Sequence, residues 1–257
     1  MAVEAQSEGT AEPAALERVL DLMADEHLGT APEDEICRAM ELMVMHVDFP
    51  CLGAKSVFRR ESVTHLVLDD MDDPSTPRVL LERLTEFAEQ TSQSDDFRSF
   101  MVTFRGPVPA GEADFETRLY RILQGMHDAD EEPWAPGVAT DPTDPHFAFS
   151  AGGHAYFIVG MHPAASRVAR RAPLPTLVFN AHDQFERLRE EGRFEGMRET
   201  IRRRDEELQG SVNPMAADHG ETSEALQYSG RRHDPDWEPP LEISDEVAPD
   251  LREETDG

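Results

Sequence analysis

Residues 147–161 read FAFSAGGHAYFIVGM, and residues 174–179 read LPTLVF. The first stretch is two apolar runs joined by Gly152-Gly153, the pattern of a hairpin with a tight turn. Its second arm, AYFIVG, is apolar enough for a central position in a sheet, and LPTLVF reads as another buried strand. Outward from this hairpin, THLVL at 64–68 is a short apolar strand, and RSFMVTF at 98–104 alternates like one. Helical spacing appears at 14–26 and at 33–46, where Ile36, Met40, Met43 and Val44 share a face. Pro50 in FPCLGA ends the second of these. Pro77 opens a helix with Val79, Leu80, Leu84 and Phe87 on one stripe. Residues 114–130 form a strong helix with Phe115, Leu119, Ile122, Leu123 and Met126 inward, and 182–208 read as one long charged helix. Strands separated by helices, with one hairpin, predict an α+β single domain over residues 15–233. Its mixed β-sheet has flanking helices. The polar, acidic ends, 1–14 and 234–257, are expected to be disordered tails.

Charge narrows the setting. The chain has 257 residues, 53 acidic against 24 basic, and a formal net charge of −29. Lys55 is the only lysine. An acidic, lysine-poor surface fits a high-salt cytoplasm, because at molar salt the Debye length is roughly 3 Å and self-repulsion is screened. Such a field repels phosphate, which argues against nucleic acid as a partner. Two cysteines build no disulfide framework. No secretory leader opens the chain, and no apolar run approaches the roughly 18 residues of a membrane span. The expectation is a soluble cytoplasmic protein with no membrane partner. GxGxxG, Walker, HExxH, CxxC and GxSxG signatures are all missing.

Positive charge is concentrated in one place. Ten arginines fall between Arg167 and Arg204, beside histidines and turn residues. His162 stands where the AYFIVG strand ends, followed by Pro163. A neutral imidazole held there suits a metal ligand, or equally a backbone hydrogen bond. Cys51, between Pro50 and Gly53, lies on a turn with Lys55 four residues on. A nearby cation favours a thiolate, although a buried thiol is as often only a small hydrophobe. Arg167, Arg170 and Arg171 offer guanidinium forks to carboxylates of a ligand or of the protein's own surface. His182 falls at a helix start, capped by Asn180 or Asp183, near the positive helix end, as a hydrogen-bond donor or ligand or simply in first-turn packing. Between Asn213 and Arg231, a polar stretch with His219, Glu221, Glu224 and Tyr228 can wrap a site and present acids to a cationic substrate.

Six blocks in fixed order carry a family resemblance: FPCLGAK at 49–55, FAFSAGGHAYFIVGMHPAASRVARR at 147–171, FNAHDQFERLREEGRFEGMRETIRRRD at 179–205, QGSVNPM at 209–215, DHGETSEALQYSGR at 218–231, and DW at 236–237. Together they resemble the YqcI/YcgG family over roughly residues 35–237. Characterised members of that family are haem-dependent oxygenases that N-hydroxylate the guanidine of arginine or arginine-like amino acids. The resemblance therefore implies haem b, an amino-acid substrate, O₂ and an electron donor. Under it, His162 is the first choice for the iron ligand, with Cys51 and then His182 as alternatives. Arg167, Arg170 and Arg171 would anchor propionates, with Lys55, His182 and Tyr228 also at the cofactor. Glu221, Glu224 and His219 would handle substrate. A non-catalytic haem- or small-ligand-binding protein on the same scaffold is the competing expectation. Two positions depart from the family pattern. Trp237 is followed by Glu238-Pro239-Pro240 where relatives often have a cysteine, and His154 stands where arginine is common.

Overall fold

The computed structural model describes residues 15–23, 27–91, 97–211, 222–234 and 236–244. In chain order the elements are α1 (Ala15–Met23), α2 (Glu33–Met45), α3 (Leu52–Arg59), β1 (Val63–Asp70), α4 (Thr76–Thr91), β2 (Ser99–Gly106), α5 (Glu112–Ala129), β3 (Phe149–Ala151), β4 (His154–Met161), β5 (Thr176–Ala181), α6 (His182–Glu190), α7 (Phe194–Gln209) and α8 (Ala225–Tyr228). Five strands form one mixed sheet in the order β1-β2-β5-β4-β3. Strands β1 and β2 are parallel, joined through α4; the other pairs are antiparallel. The α+β class and the single mixed sheet agree with the sequence pattern.

Side chains alternate across a strand, so each strand feeds two layers. Phe100, Val102 and Phe104 of β2, Leu177 and Phe179 of β5, and Tyr156 and Ile158 of β4 pack with Leu80, Leu84 and Phe87 of α4 and Phe115, Leu119, Ile122 and Met126 of α5. The opposite parity, with Met101, Val178 and Met161, meets Met40, Met43 and Val44 of α2 and Leu16 and Leu20 of α1. Gly152 and Gly153 close the β3–β4 hairpin at φ +58° and +73°. Both central residues of that turn need φ > 0, which glycine adopts without strain.

Strand β3 pairs only with His154–Tyr156, so the rest of β4 lacks a strand on that side. α8 packs against β4 there. Gly160 permits this approach: a Cβ on it would lie 2.7 Å from both Phe115 Cε1 and the Tyr228 carbonyl oxygen.

Four local expectations change. The stretch 182–208 is two helices, broken where Gly192 takes φ +67° and its N–H bonds to the Arg189 carbonyl; left-handed glycine ends a helix that charge pattern alone would continue. FPCLGAK does not stay a turn: Cys51 caps α3, its Sγ accepting from Ala54 N at 3.4 Å. Neither Asn180 nor Asp183 caps α6; Ala181 holds the N-cap position and makes no side-chain bond. The packed region also runs past 233. Leu241 is buried, and Gln124 bonds both the Glu242 N–H and its carbonyl. Among the described residues no helix is long and apolar enough to cross a membrane.

Candidate functional site

A cavity of about 360 Å³ lies between the sheet and the α2–α3 and α6–α7 helices, inside the range of about 300–1,000 Å³ usual for small-ligand sites. Its floor is the sheet parity that faces away from α5: Val63 of β1, Ser99 and Met101 of β2, Val178 and Asn180 of β5, and Phe157, Val159 and Met161 of β4. Val44, Phe49, Cys51, Ala54 and Phe58 wall one side; Phe185, Phe194, Met197 and Ile201 wall the other. Phe185 meets Phe97, Phe157 and Phe194 edge-on at centroid distances of 5.4, 5.9 and 6.4 Å. This edge-to-face set fixes the α6 wall. Gln184 ties that helix to β2 by bonding both the N–H and the carbonyl of Arg98. One polar spot breaks the floor: Ser99 Oγ donates to Asn180 Oδ1 at 2.6 Å.

The charged lining is unlike the chain as a whole. Arg167, Arg170, Arg189, Arg198 and Arg202 face two acids, Asp205 and Glu224. Several are engaged. Arg167 Nη2 donates to Asp205 Oδ2 at 2.5 Å and to the Ser211 carbonyl at 2.9 Å. Arg189 pairs with Glu186 and stacks on Phe194 at 4.5 Å, and Arg198 pairs with Glu195 at 2.5 Å. Arg170 differs: among the described residues its guanidinium bonds only the carbonyls of Gly160 (3.2 Å) and Gln227 (3.1 Å). Burial pushes its pKa down to about 10 against the pull of Asp205 and Cys51. A buried cation bonded only to carbonyls favours an anion beside it. Burial pushes the Cys51 thiol up, while the Ala54 and Gly53 amides and the charges of Arg170 and Lys55 pull it down. A ligand that coordinates sulfur would be met by those same groups.

The residues named from sequence separate into three sets. Cys51, Arg167, Arg170 and Glu224 line the cavity. His182 adjoins it, with Nε2 3.4 Å from Glu224 Oε1. His162, Arg171, Lys55 and Tyr228 do not line it. His162 shares the parity of Tyr156 and Ile158, is 0% exposed, and stacks on Phe115 at 4.4 Å on the α5 side of the sheet. Arg171 pairs with Glu17 of α1 at 2.5 Å. Lys55 is buried and its Nζ donates to the Val47 carbonyl at 3.1 Å, which Arg204 also bonds. Tyr228 is fully buried, its hydroxyl accepting from Phe149 N at 3.1 Å. His219 and Glu221 lie outside the described residues. Asp205, Asn180 and Gln227 are cavity residues the sequence reading gave no site role. Asp205 closes the RRRD run, where three arginines masked it.

His162 carries a pH prediction. Burial holds its pKa at about 4, against the pull of Glu112. Unfolded histidine titrates near 6.5, so the unfolded chain takes up the proton first. The stability His162 contributes is complete above about 6.5 and drains as pH falls toward 4. Chemical denaturation at pH 7 and pH 5 should show a loss that His162→Leu reduces by on the order of 2 kcal/mol. An unchanged slope in the variant would exclude this role.

A model of the YqcI/YcgG family matches residues 40–242, a span that holds every residue lining the cavity. The chain belongs to the YqcI/YcgG family. Among curated family relatives, the Uncharacterized protein YqcI of Bacillus subtilis (strain 168) is 24% identical over 162 residues. That match covers 61% of this chain and 64% of the relative. No solved structure matches. Among the described residues, no three or more His, Cys, Asp or Glu side chains cluster to hold a metal ion. A porphyrin iron needs only one or two protein ligands, and Cys51 is the candidate that faces the cavity.

Proposed function

We propose that this YqcI/YcgG-family chain is a haem-dependent oxygenase that N-hydroxylates the guanidine or amine group of arginine or a related amino acid. The observation that supports it best is the cavity's make-up: apolar, aromatic walls, one thiol at the α3 N-cap, and Arg170 bonded, among the described residues, only to main-chain carbonyls. These residues fit haem b. Cys51 would hold the iron, displacing His162 from first choice because His162 sits across the sheet. Bound haem would supply oxygen activation with electrons from a donor protein or reductant. The chain's own residues do the rest. Arg170, with Arg167 beside it, would pair with the cofactor's carboxylates. Phe157, Phe185 and Phe194 exclude water. Glu224, steadied by His182, meets the substrate's cationic end.

The test is a visible spectrum of protein purified in high salt and reconstituted with hemin. A Soret band should appear, and the reduced protein under carbon monoxide should show the strongly red-shifted band of a thiolate ligand. Cys51→Ser should abolish that shift, whereas His162→Ala should leave it. Mass spectrometry with reductant and O₂ should then show L-arginine, or a near analogue, gaining one oxygen. A haem-loaded protein that consumes no amino acid would favour the non-catalytic binding reading. Protein that stays colourless would exclude haem in either reading and leave only small-ligand binding.

A further inference from the structure

We infer that Asp205 is a specificity-determining residue, the acceptor that selects a cationic nitrogen group on the molecule in the cavity. Asp205 sits near the end of α7, lines the cavity and is only 8% exposed. One carboxylate oxygen, Oδ2, is held by Arg167. The other, Oδ1, is buried and accepts no hydrogen bond within the described structure. A buried carboxylate oxygen without a donor is disfavoured, and a ligand N–H removes that cost only when present.

The carboxylate is also fixed in place before any ligand arrives. Arg167 bridges it to the Ser211 carbonyl. Gln209 Oε1 accepts from Val168 N at 2.8 Å, and Arg204 Nη2 donates to the carbonyls of Val47 and Phe49 at 2.5 and 3.1 Å. The last turns of α7 are thus tied to both the Arg167–Arg170 turn and the α2–α3 connection. A rigid acceptor discriminates better than a mobile one, because little ordering remains to be done on binding. In a lining dominated by arginine, a cationic group can settle only beside an acid. Among the described residues the acids there are Asp205 and Glu224. A site built around a buried acceptor rejects an analogue that presents neither the charge nor the extra N–H.

This rests on the reading of the cavity as a site for an arginine-like amino acid. The probes are L-arginine and L-citrulline, which are close in shape and differ in a charged guanidinium against a neutral urea. Calorimetric titration of the full chain in high salt should give a preference for L-arginine of roughly ten- to hundredfold. Asp205→Asn should bring that ratio near one by weakening L-arginine, with L-citrulline changed only a few-fold and hemin still bound. Asp205→Glu should keep the preference while weakening L-arginine several-fold, and it carries the test if the asparagine variant does not fold. An unchanged ratio in Asp205→Asn, wild-type affinity in Asp205→Glu, or no preference in the wild type each overturns the inference. Colourless protein that still shows an Asp205-dependent preference would end the haem reading and keep this one. Protein that binds hemin and oxidises L-arginine with a ratio indifferent to Asp205 would do the reverse.

Discussion

Replacing Glu116 with alanine should cost about 3–5 kcal/mol of folding stability, the range for breaking a buried charge pair from one side. Glu116 lies on α5 and is 6% exposed. Its carboxylate accepts from Ser229 Oγ at 2.8 Å, from Arg231 Nη1 at 2.7 Å, and from the His233 ring. His233 is itself enclosed, its side chain 1% exposed and stacked on Trp237 at 3.6 Å. Without the acid, Arg231 and His233 lose their common acceptor, and the chain from Ser229 to Trp237 loses its anchor on α5. Burial pushes the Glu116 carboxyl up, but the bonds from His233 and Ser229, with Arg231 behind them, outweigh it and hold the pKa below the usual value. The contribution is therefore complete above the unfolded pKa of about 4.3 and drains as pH falls through the folded one. Urea unfolding at pH 7 measures the loss, and the gap between wild type and variant should narrow below about pH 4. A gap under about 1 kcal/mol at pH 7 would show that the cluster is surface decoration.

Gly160→Ala should be the next most damaging change, destabilising by about 2–3 kcal/mol from one added methyl group. The new carbon would meet Phe115 Cε1 and the Tyr228 carbonyl at 2.7 Å, with Leu119 Cδ1 at 3.0 Å. A ring could shift by itself, but the Tyr228 carbonyl belongs to a backbone held by the Ser229–Glu116 bond and by the Tyr120 hydroxyl on Ala225 O at 2.6 Å. The strand and the α8 segment must separate. Thermal melting should register a clear drop in midpoint, and Gly160→Ser should behave no better. A midpoint like that of the wild type would mean that α8 gives way freely.

The strands were legible as short apolar runs bounded by turn residues, and the hairpin because two glycines fall where φ must be positive. The split between α6 and α7 was less so, since glutamates and arginines continue on both sides of Gly192 and bury the stop signal. Recognising the cavity was harder for a physical reason. Met101, Val159 and Val178 on its floor are as apolar as Phe100, Ile158 and Phe179 on the packed side, so composition does not tell a ligand face from a core face. Parity could have relocated His162. It follows Tyr156, Ile158 and Gly160 in steps of two, which places it with the core rather than with Phe157, Val159 and Met161. The arginines were visible as a cluster, but not their individual partners. Arg171 reaches Glu17, far away in sequence, while Arg170 finds only carbonyls among the described residues.

The short α8 stretch packs against β4 over Gly160. The same stretch also supplies Glu224 and Gln227 to the ligand wall. Packing on the sheet and lining the cavity thereby fall to one run of residues, and a substitution there to retune one of them will disturb the other.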